Sequence, residues 1–158
     1  MNAKTPELKL NRFCGEEIFP VKSAKWSFFY DEYVDSNNFS LEIEAKEGTV
    51  LGKDTKKHKI KPSWEINCYS NDLNRKDIVP GLKVELLEGF DKETDTDITN
   101  FYYFEHQTTN DNKIEILESD GNKLLIRLTG KTTDVDFDGS KPETELSAEI
   151  WFDYWHIE

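Results

Sequence analysis

The sequence predicts an all-β fold: a single-domain antiparallel β-sandwich or flattened barrel of about eight strands, with little or no helix. Three observations lead there. Apolar side chains recur at every second position over most of the chain, the spacing of a pleated strand with one buried face. Ten Phe, six Tyr and four Trp against a single Met make an inventory of flat rings that pack well on pleated faces. No long segment keeps the helical spacing of about 3.6 residues, so crossover helices and a parallel sheet are not expected.

Taken in order, residues 1–20 admit two readings. Thr5-Pro6-Glu7 suits a helix start, with proline at the first helical position, and Gly15 suits its end. Leu8 and Leu10 alternate instead, which suits an edge strand. Trp26, Phe28 and Tyr30 then alternate with Lys25, Ser27 and Phe29, and Phe39, Leu41, Ile43 and Ala45 with Ser40, Glu42 and Glu44. Trp64, Ile66 and Cys68 form the inner side of a third strand, and Leu82, Val84 and Leu86 a fourth after the turn dipeptide Pro80-Gly81. Residues 101–104 are apolar on both sides, which predicts a central strand. Ile114 and Ile116 lead into Ser119-Asp120-Gly121-Asn122, a tight hairpin signal, and Leu124, Ile126 and Leu128 return from it. The last strand sets Leu146, Ala148, Ile150, Phe152 and Tyr154 on one face and Glu145, Ser147, Glu149, Trp151, Asp153 and Trp155 on the other. Residues 71–79 allow a single helical turn. No repeat or linker divides the chain, so residues 1–158 form one domain.

The formal net charge is −12. Such a charge repels phosphate backbones and anionic lipid, which argues against nucleic-acid and membrane partners and for a basic protein or a metal ion. The N-terminus lacks an apolar signal core, and no run approaches the roughly 20 apolar residues of a spanning helix. Cys14 and Cys68 are too few for a disulfide framework. A cytoplasmic location is the expectation.

If every strand crosses the sheet, successive loops alternate between its two ends. One end then gathers residues 31–37, 71–80, 107–111 and 131–143, bringing together Asp31, Asp35, Asp72 and Asp77 with little positive charge to balance them. The other gathers residues 47–62, 87–97 and the Asp120-Gly121 turn, where lysines meet acids. The first is the expected binding end.

The sharpest chemical pattern is Asp134-x-Asp136-x-Asp138-Gly139 followed by Glu145, which matches the calcium-loop spacing. Alternate carboxylates on a tightening loop converge on a hard cation, and the closing glutamate can add two oxygens. An EF-hand needs flanking helices, and here both flanks read as strands. Two readings stand: calcium ligation by Asp134, Asp136, Asp138 and Glu145, or an acidic connection whose Asp and Gly residues make turns. The run Asp91, Glu93, Asp95, Asp97 lacks the turn glycine and reads as a solvated loop. His58, His106 and His156 lack ligand spacing, Cys68 falls on a core face, and no nucleophile elbow or phosphate loop occurs. An enzyme is not expected.

Trp151 and Trp155 lie on the polar side of the last strand. One reading covers them, because the strand is central or overlaid by the N-terminal segment. The other makes them an exposed patch for a partner or for a homodimer through the last strand.

A short acidic β-domain without catalytic residues is similar in general character to bacterial immunity proteins that block positively charged toxin domains. The stretch Asp136-Phe137-Asp138-Gly139-Ser140-Lys141-Pro142, with Thr144 beyond it, resembles small bacterial β-domain proteins. The acidic loops and the aromatic last strand lead to a non-catalytic domain that engages a basic protein, without cofactor, and the resemblance agrees with that expectation. The alternative is a calcium-dependent β-domain that binds a carbohydrate or other anionic ligand through residues 134–145.

Overall fold

The computed structural model describes residues 6–12, 15–50, 60–103, 105–133 and 143–155. Among them are thirteen strands: β1 (Glu7–Arg12), β2 (Gly15–Asp31), β3 (Ser36–Ala45), β4 (Thr49–Val50), β5 (Ser63–Tyr69), β6 (Lys83–Leu86), β7 (Phe90–Asp91), β8 (Thr96–Asp97), β9 (Thr99–Tyr103), β10 (Glu105–Gln107), β11 (Asn110–Asp120), β12 (Lys123–Thr133) and β13 (Glu143–Tyr154). One 3-10 turn, Arg75–Asp77, falls in the segment where a single helical turn was expected. No helix among the described residues is long and apolar enough to cross a membrane.

The main sheet runs β10-β9-β5-β3-β2-β1-β13-β12-β11-β6, with β4 added to β2 and β7-β8 standing apart as a small hairpin. Its hinge is β2. The first part of β2 pairs with β1 up to Pro20, and the part from Val21 to Asp31 pairs with β3. Pro20, which has no amide hydrogen to give the ladder, and a register irregularity between Val21 and Ser23 mark the bend. β1 is a wedge between β2 and β13. Where it ends, β2 and β13 meet directly and in parallel, at Lys25–Asp153 and Trp26–Tyr154, while the other pairings are antiparallel. The architecture is therefore all-β and antiparallel in plan, one sheet bent at β2 so that its two halves face a shared core.

That core holds Trp26, Phe39, Leu41, Trp64, Ile66 and Phe101 from one half and Leu8, Leu10, Ile114, Ile126 and Phe152 from the other. The halves touch closely at Gly130 on β12, where an added Cβ would lie 2.8 Å from Trp64 Cζ2 and 2.7 Å from Asn112 Oδ1. Gly130→Ala is expected to lower unfolding free energy by about 1–3 kcal/mol, read from urea denaturation, because the buried indole has no room to retreat. A change below a few tenths of a kcal/mol would mean that the two halves are free to separate there. Polar groups seal the two open edges of the sheet. Thr109 Oγ1 donates to Asn112 Oδ1 at 2.6 Å and accepts from Trp64 Nε1 at 3.2 Å, while Asn112 Nδ2 donates to Leu86 O. A buried ionic group closes the hinge: Arg12 Nη1 lies 3.1 Å from Glu17 Oε1, and the Tyr103 hydroxyl is 2.8 Å from both Glu17 oxygens.

Several expectations change. The N-terminal segment is a strand from Glu7, and a central one rather than an edge or a helix. The strand expected at 101–104 is β9, paired on both sides by β5 and the short edge strand β10, with Tyr102 covered on its outer side by His106 at 5.0 Å and Phe104 outside the described residues. The sorting of loops also fails halfway. β9 turns back into β10 between Tyr103 and Glu105, and this extra reversal moves every later loop to the opposite end. The Asp120–Asn122 turn joins the end of residues 31–37, where Trp26 Nε1 donates to Asn122 O at 2.7 Å. Residues 107–111 join the other end, where Asp111 N donates to Leu87 O, and Thr132 Oγ1 donates toward Gln107 and Thr108.

Candidate functional site

The site is built on the outer face of the β2–β3–β5 half-sheet, beside the end of β13. Period-two alternation turns Lys25, Ser27, Phe29 and Asp31 of β2 outward, and register then sets the rows. Lys25 lies opposite Glu42 and Glu65, Ser27 opposite Ser40 and Asn67, and Phe29 opposite Asn38 and Tyr69. Trp155 joins this face because its amide donates to Trp26 O at 2.8 Å, which continues the β2–β13 contact one residue further. A small cleft of ≈ 150 Å³ opens between Phe29 and Trp155 over Ser27, Ser40 and Asn67, with Glu42 and Glu65 on its far side.

The electrostatics of this face are one-sided. Burial first, then the charges of Glu44 and Glu65, hold the Glu42 carboxyl above its ordinary range, with Lys25 pulling the other way. Burial also raises the Tyr69 hydroxyl, followed by the charge of Asp31, which accepts from it at 3.5 Å. Lys25 Nζ sits 5.4 Å from the centre of the Trp155 ring. Among the described residues Asp31, Glu42, Glu44 and Glu65 form no ion pair.

The loops carrying Asp31, Asp35, Asp72 and Asp77 do come together. Asn71 accepts from Asn37 N and donates to Asp35 O, while Asn37 Nδ2 donates to Leu73 O. Asp31 caps its own turn through Tyr33 N, and Asp77 does the same through Asn74 N. Asp35 sits at φ 55, a backbone shape that Asp tolerates better than bulkier residues. Asp111, expected with them, is at the opposite end. The adjacent Arg75 stacks on Trp26 at 4.6 Å and sits 5.6 Å from Tyr154, placing a cation at the rim of this acidic end.

Trp151 and Trp155 are 43 % and 50 % exposed, which overturns the covered reading. β13 is indeed central, but β1 lies against its edge rather than over its face. A central strand satisfies its backbone on both sides and can still show one row of side chains to water. With both edges occupied over much of its length, β13 offers a homodimer only this outer face. Trp151 pairs with Leu125, and Asp153 sits 3.7 Å from Lys123.

Of the calcium-type ligands, Asp134, Asp136 and Asp138 lie outside the described residues. Glu145 is exposed on β13, paired with Asn11 and Lys131, and it lines a wide groove of ≈ 640 Å³ whose lysines (Lys9, Lys113, Lys131) are matched by Glu16, Glu85 and Asp111. Thr133 and Glu143 are cross-strand partners, so residues 134–142 connect two paired strands rather than two helices. Among the described residues no three His, Cys, Asp or Glu side chains are grouped to hold a metal. Burial pushes the Cys68 thiol up to about 11, which leaves it unreactive near neutrality. His106 faces Asn100 Oδ1 at 3.0 Å, and Cys14, His58 and His156 lie outside the described residues.

Phe29, Glu42, Glu65 and Tyr69 are additions to the residues picked out from sequence. The available signal was Phe29 itself, a large ring on the Lys25–Ser27 side of an otherwise polar row. No family model matches the chain, and neither a curated protein nor a solved structure is significantly similar to it.

Proposed function

We propose that the chain is a non-catalytic, acidic binding domain that engages a basic protein, in the manner of immunity proteins that neutralise a toxin domain. The observation that carries this reading is the mixture on one face: Phe29, Tyr69 and half-exposed Trp155 lie among Asp31, Glu42, Glu44 and Glu65, carboxylates without ion pairs among the described residues. Rings supply area that gains about 25 cal/mol per Å² on burial. Carboxylates supply steering and partner choice, and a net charge of −12 extends that steering over the whole molecule. The Asp31–Asp35–Asp72–Asp77 loops continue the acidic surface beyond the end of β2.

The test is capture from the native host followed by kinetics on the purified partner. A basic partner is expected, with an association rate that falls steeply as salt shortens the Debye length from about 30 Å toward 3 Å. Trp155→Ala should weaken binding about tenfold or more. A neutral or acidic partner with salt-independent association would remove the reading. In the same assay millimolar calcium should leave Tm and partner affinity unchanged. A Tm rise that disappears in Asp136→Ala would favour the calcium-dependent alternative.

A further inference from the structure

We propose that the cleft between Phe29 and Trp155 is an anchor pocket for a single basic side chain of that partner, a lysine or arginine head, and that Lys25 holds the Trp155 ring in the free protein as an internal substitute. This rests on the reading above and makes it specific. Size sets the first limit. A volume of ≈ 150 Å³ is room for about five waters at about 30 Å³ each, well below the roughly 300 Å³ at which pockets for drug-sized ligands begin. An ammonium or guanidinium with its last methylenes fits, whereas a disaccharide does not.

Hydrogen-bonding capacity sets the second limit. The far wall offers the carboxylates of Glu42 and Glu65, which accept only, and the floor offers Ser27 and Ser40. Asn67 Nδ2 is already committed to Glu65 Oε1 at 3.1 Å and reaches Ile98 O at 3.4 Å. Just beyond the floor Asn38, 1 % exposed, donates to Asn67 Oδ1 while its own Oδ1 accepts from nothing. Among the described residues Lys25 is the one cation lining the cleft, against the two carboxylates of Glu42 and Glu65. Lysine and arginine heads bring donors alone.

The rings set the third. An indole is the strongest aromatic partner for a cation, and Trp155 already carries one in Lys25 Nζ at 5.4 Å. After burial, the charges of Glu44 and Glu65 both raise the Glu42 carboxyl, and Lys25 is the cation that opposes them. The larger groove across β1, β13, β12 and β11 is a poorer candidate for a cation, because its lysines and acids are mixed along its whole length.

Titration of the protein with agmatine and with cadaverine, following tryptophan indole N–H signals by NMR, decides the matter. A saturable shift of the Trp155 signal at millimolar ligand is expected, with the Trp151 signal still. The shift should vanish in Glu42→Gln/Glu65→Gln, whose unchanged Tm verifies folding. It should saturate at about threefold lower ligand in Lys25→Gln, where the internal cation is gone. Equal shifts with n-butanol or methyl glucoside, no shift with either amine, or weaker amine binding in Lys25→Gln would overturn the assignment. If the basic partner binds the Glu42→Gln/Glu65→Gln variant undiminished, the anchor pocket is wrong and the broader reading survives. If the amines titrate the cleft as described but no basic partner binds, the broader reading fails and the pocket stands.

Discussion

Glu17→Gln is expected to lower the unfolding free energy by about 3–5 kcal/mol, seen as a lower urea midpoint at unchanged slope. Glu17 and Arg12 are both buried, and their 3.1 Å contact lies beneath the Tyr103 ring, 5.2 Å from the guanidinium. Removing the carboxylate takes a counter-charge at 3.1 Å away from a buried guanidinium, and that loss dominates the cost. The pair itself contributes much less. Arg12→Met/Glu17→Leu, which removes both charges and keeps the volume, should recover most of the loss. If the double replacement is as damaging as Glu17→Gln, the packing of these side chains matters more than their charge.

Tyr103 adds a pH test. Burial first, then its hydrogen bond to Glu17 and the charge of Glu17, push the Tyr103 hydroxyl well above its ordinary range, against a smaller opposing pull from Arg12. The folded protein therefore keeps this proton at pH values where the unfolded chain, titrating near about 10, has released it. The contribution is complete below about pH 10 and is lost as pH rises beyond it, at up to about 1.4 kcal/mol per pH unit. Tyr69 is raised in the same direction and adds to the same loss. Tyr103→Phe should flatten the alkaline decline without removing the part due to Tyr69. An identical alkaline slope in wild type and Tyr103→Phe would show that the hydroxyl does not hold its proton in the fold.

Glu17 also explains where sequence reading runs out. Alternation of Phe39, Leu41 and Ile43 is plain because their core positions are all apolar, and each is fully buried. The first half of β2 turns Glu17 and Phe19 inward, so a carboxylate occupies a core position and breaks the pattern that identifies a strand. Ten residues of strand and the hinge of the sheet are hidden by that one charge pair. Loop sorting depends on reversals rather than on alternation, and the Tyr103–Glu105 reversal has no glycine or proline to announce it. The acidic loops at 31–37 and 71–80 were legible because no misplaced reversal lies between them. The cleft was not, since it depends on β13 reaching β2, a contact between residues more than a hundred positions apart. Trp155 was visible as a ring on a polar side; that it meets Lys25 and Glu42 is a matter of topology.

Asn112→Ala is expected to cost about 1–3 kcal/mol, because the buried Thr109 hydroxyl loses its acceptor, while Thr109 O keeps its bond from Thr99 Oγ1. Asn112 is 1 % exposed and sits where the two ends of the sheet approach each other. Its Oδ1 accepts from Thr109 Oγ1, and its Nδ2 donates to Thr109 O at 2.8 Å and to Leu86 O at 3.1 Å. Alanine would leave those carbonyls without this donor and free the Thr109 hydroxyl that receives Trp64 Nε1. Water could replace the amide only by entering a site walled by Trp64 and Gly130. The distinguishing observation is hydrogen exchange. Amides of β6, β9 and β11 should lose protection together in Asn112→Ala, because Asn112 holds Leu86 of β6 and Thr109, and Thr109 in turn bonds Thr99 of β9, while β2 and β3 keep theirs. Uniform loss over the whole sheet would assign Asn112 a share of global stability only, and the two edges of the sheet would then be held by the hydrophobic core alone.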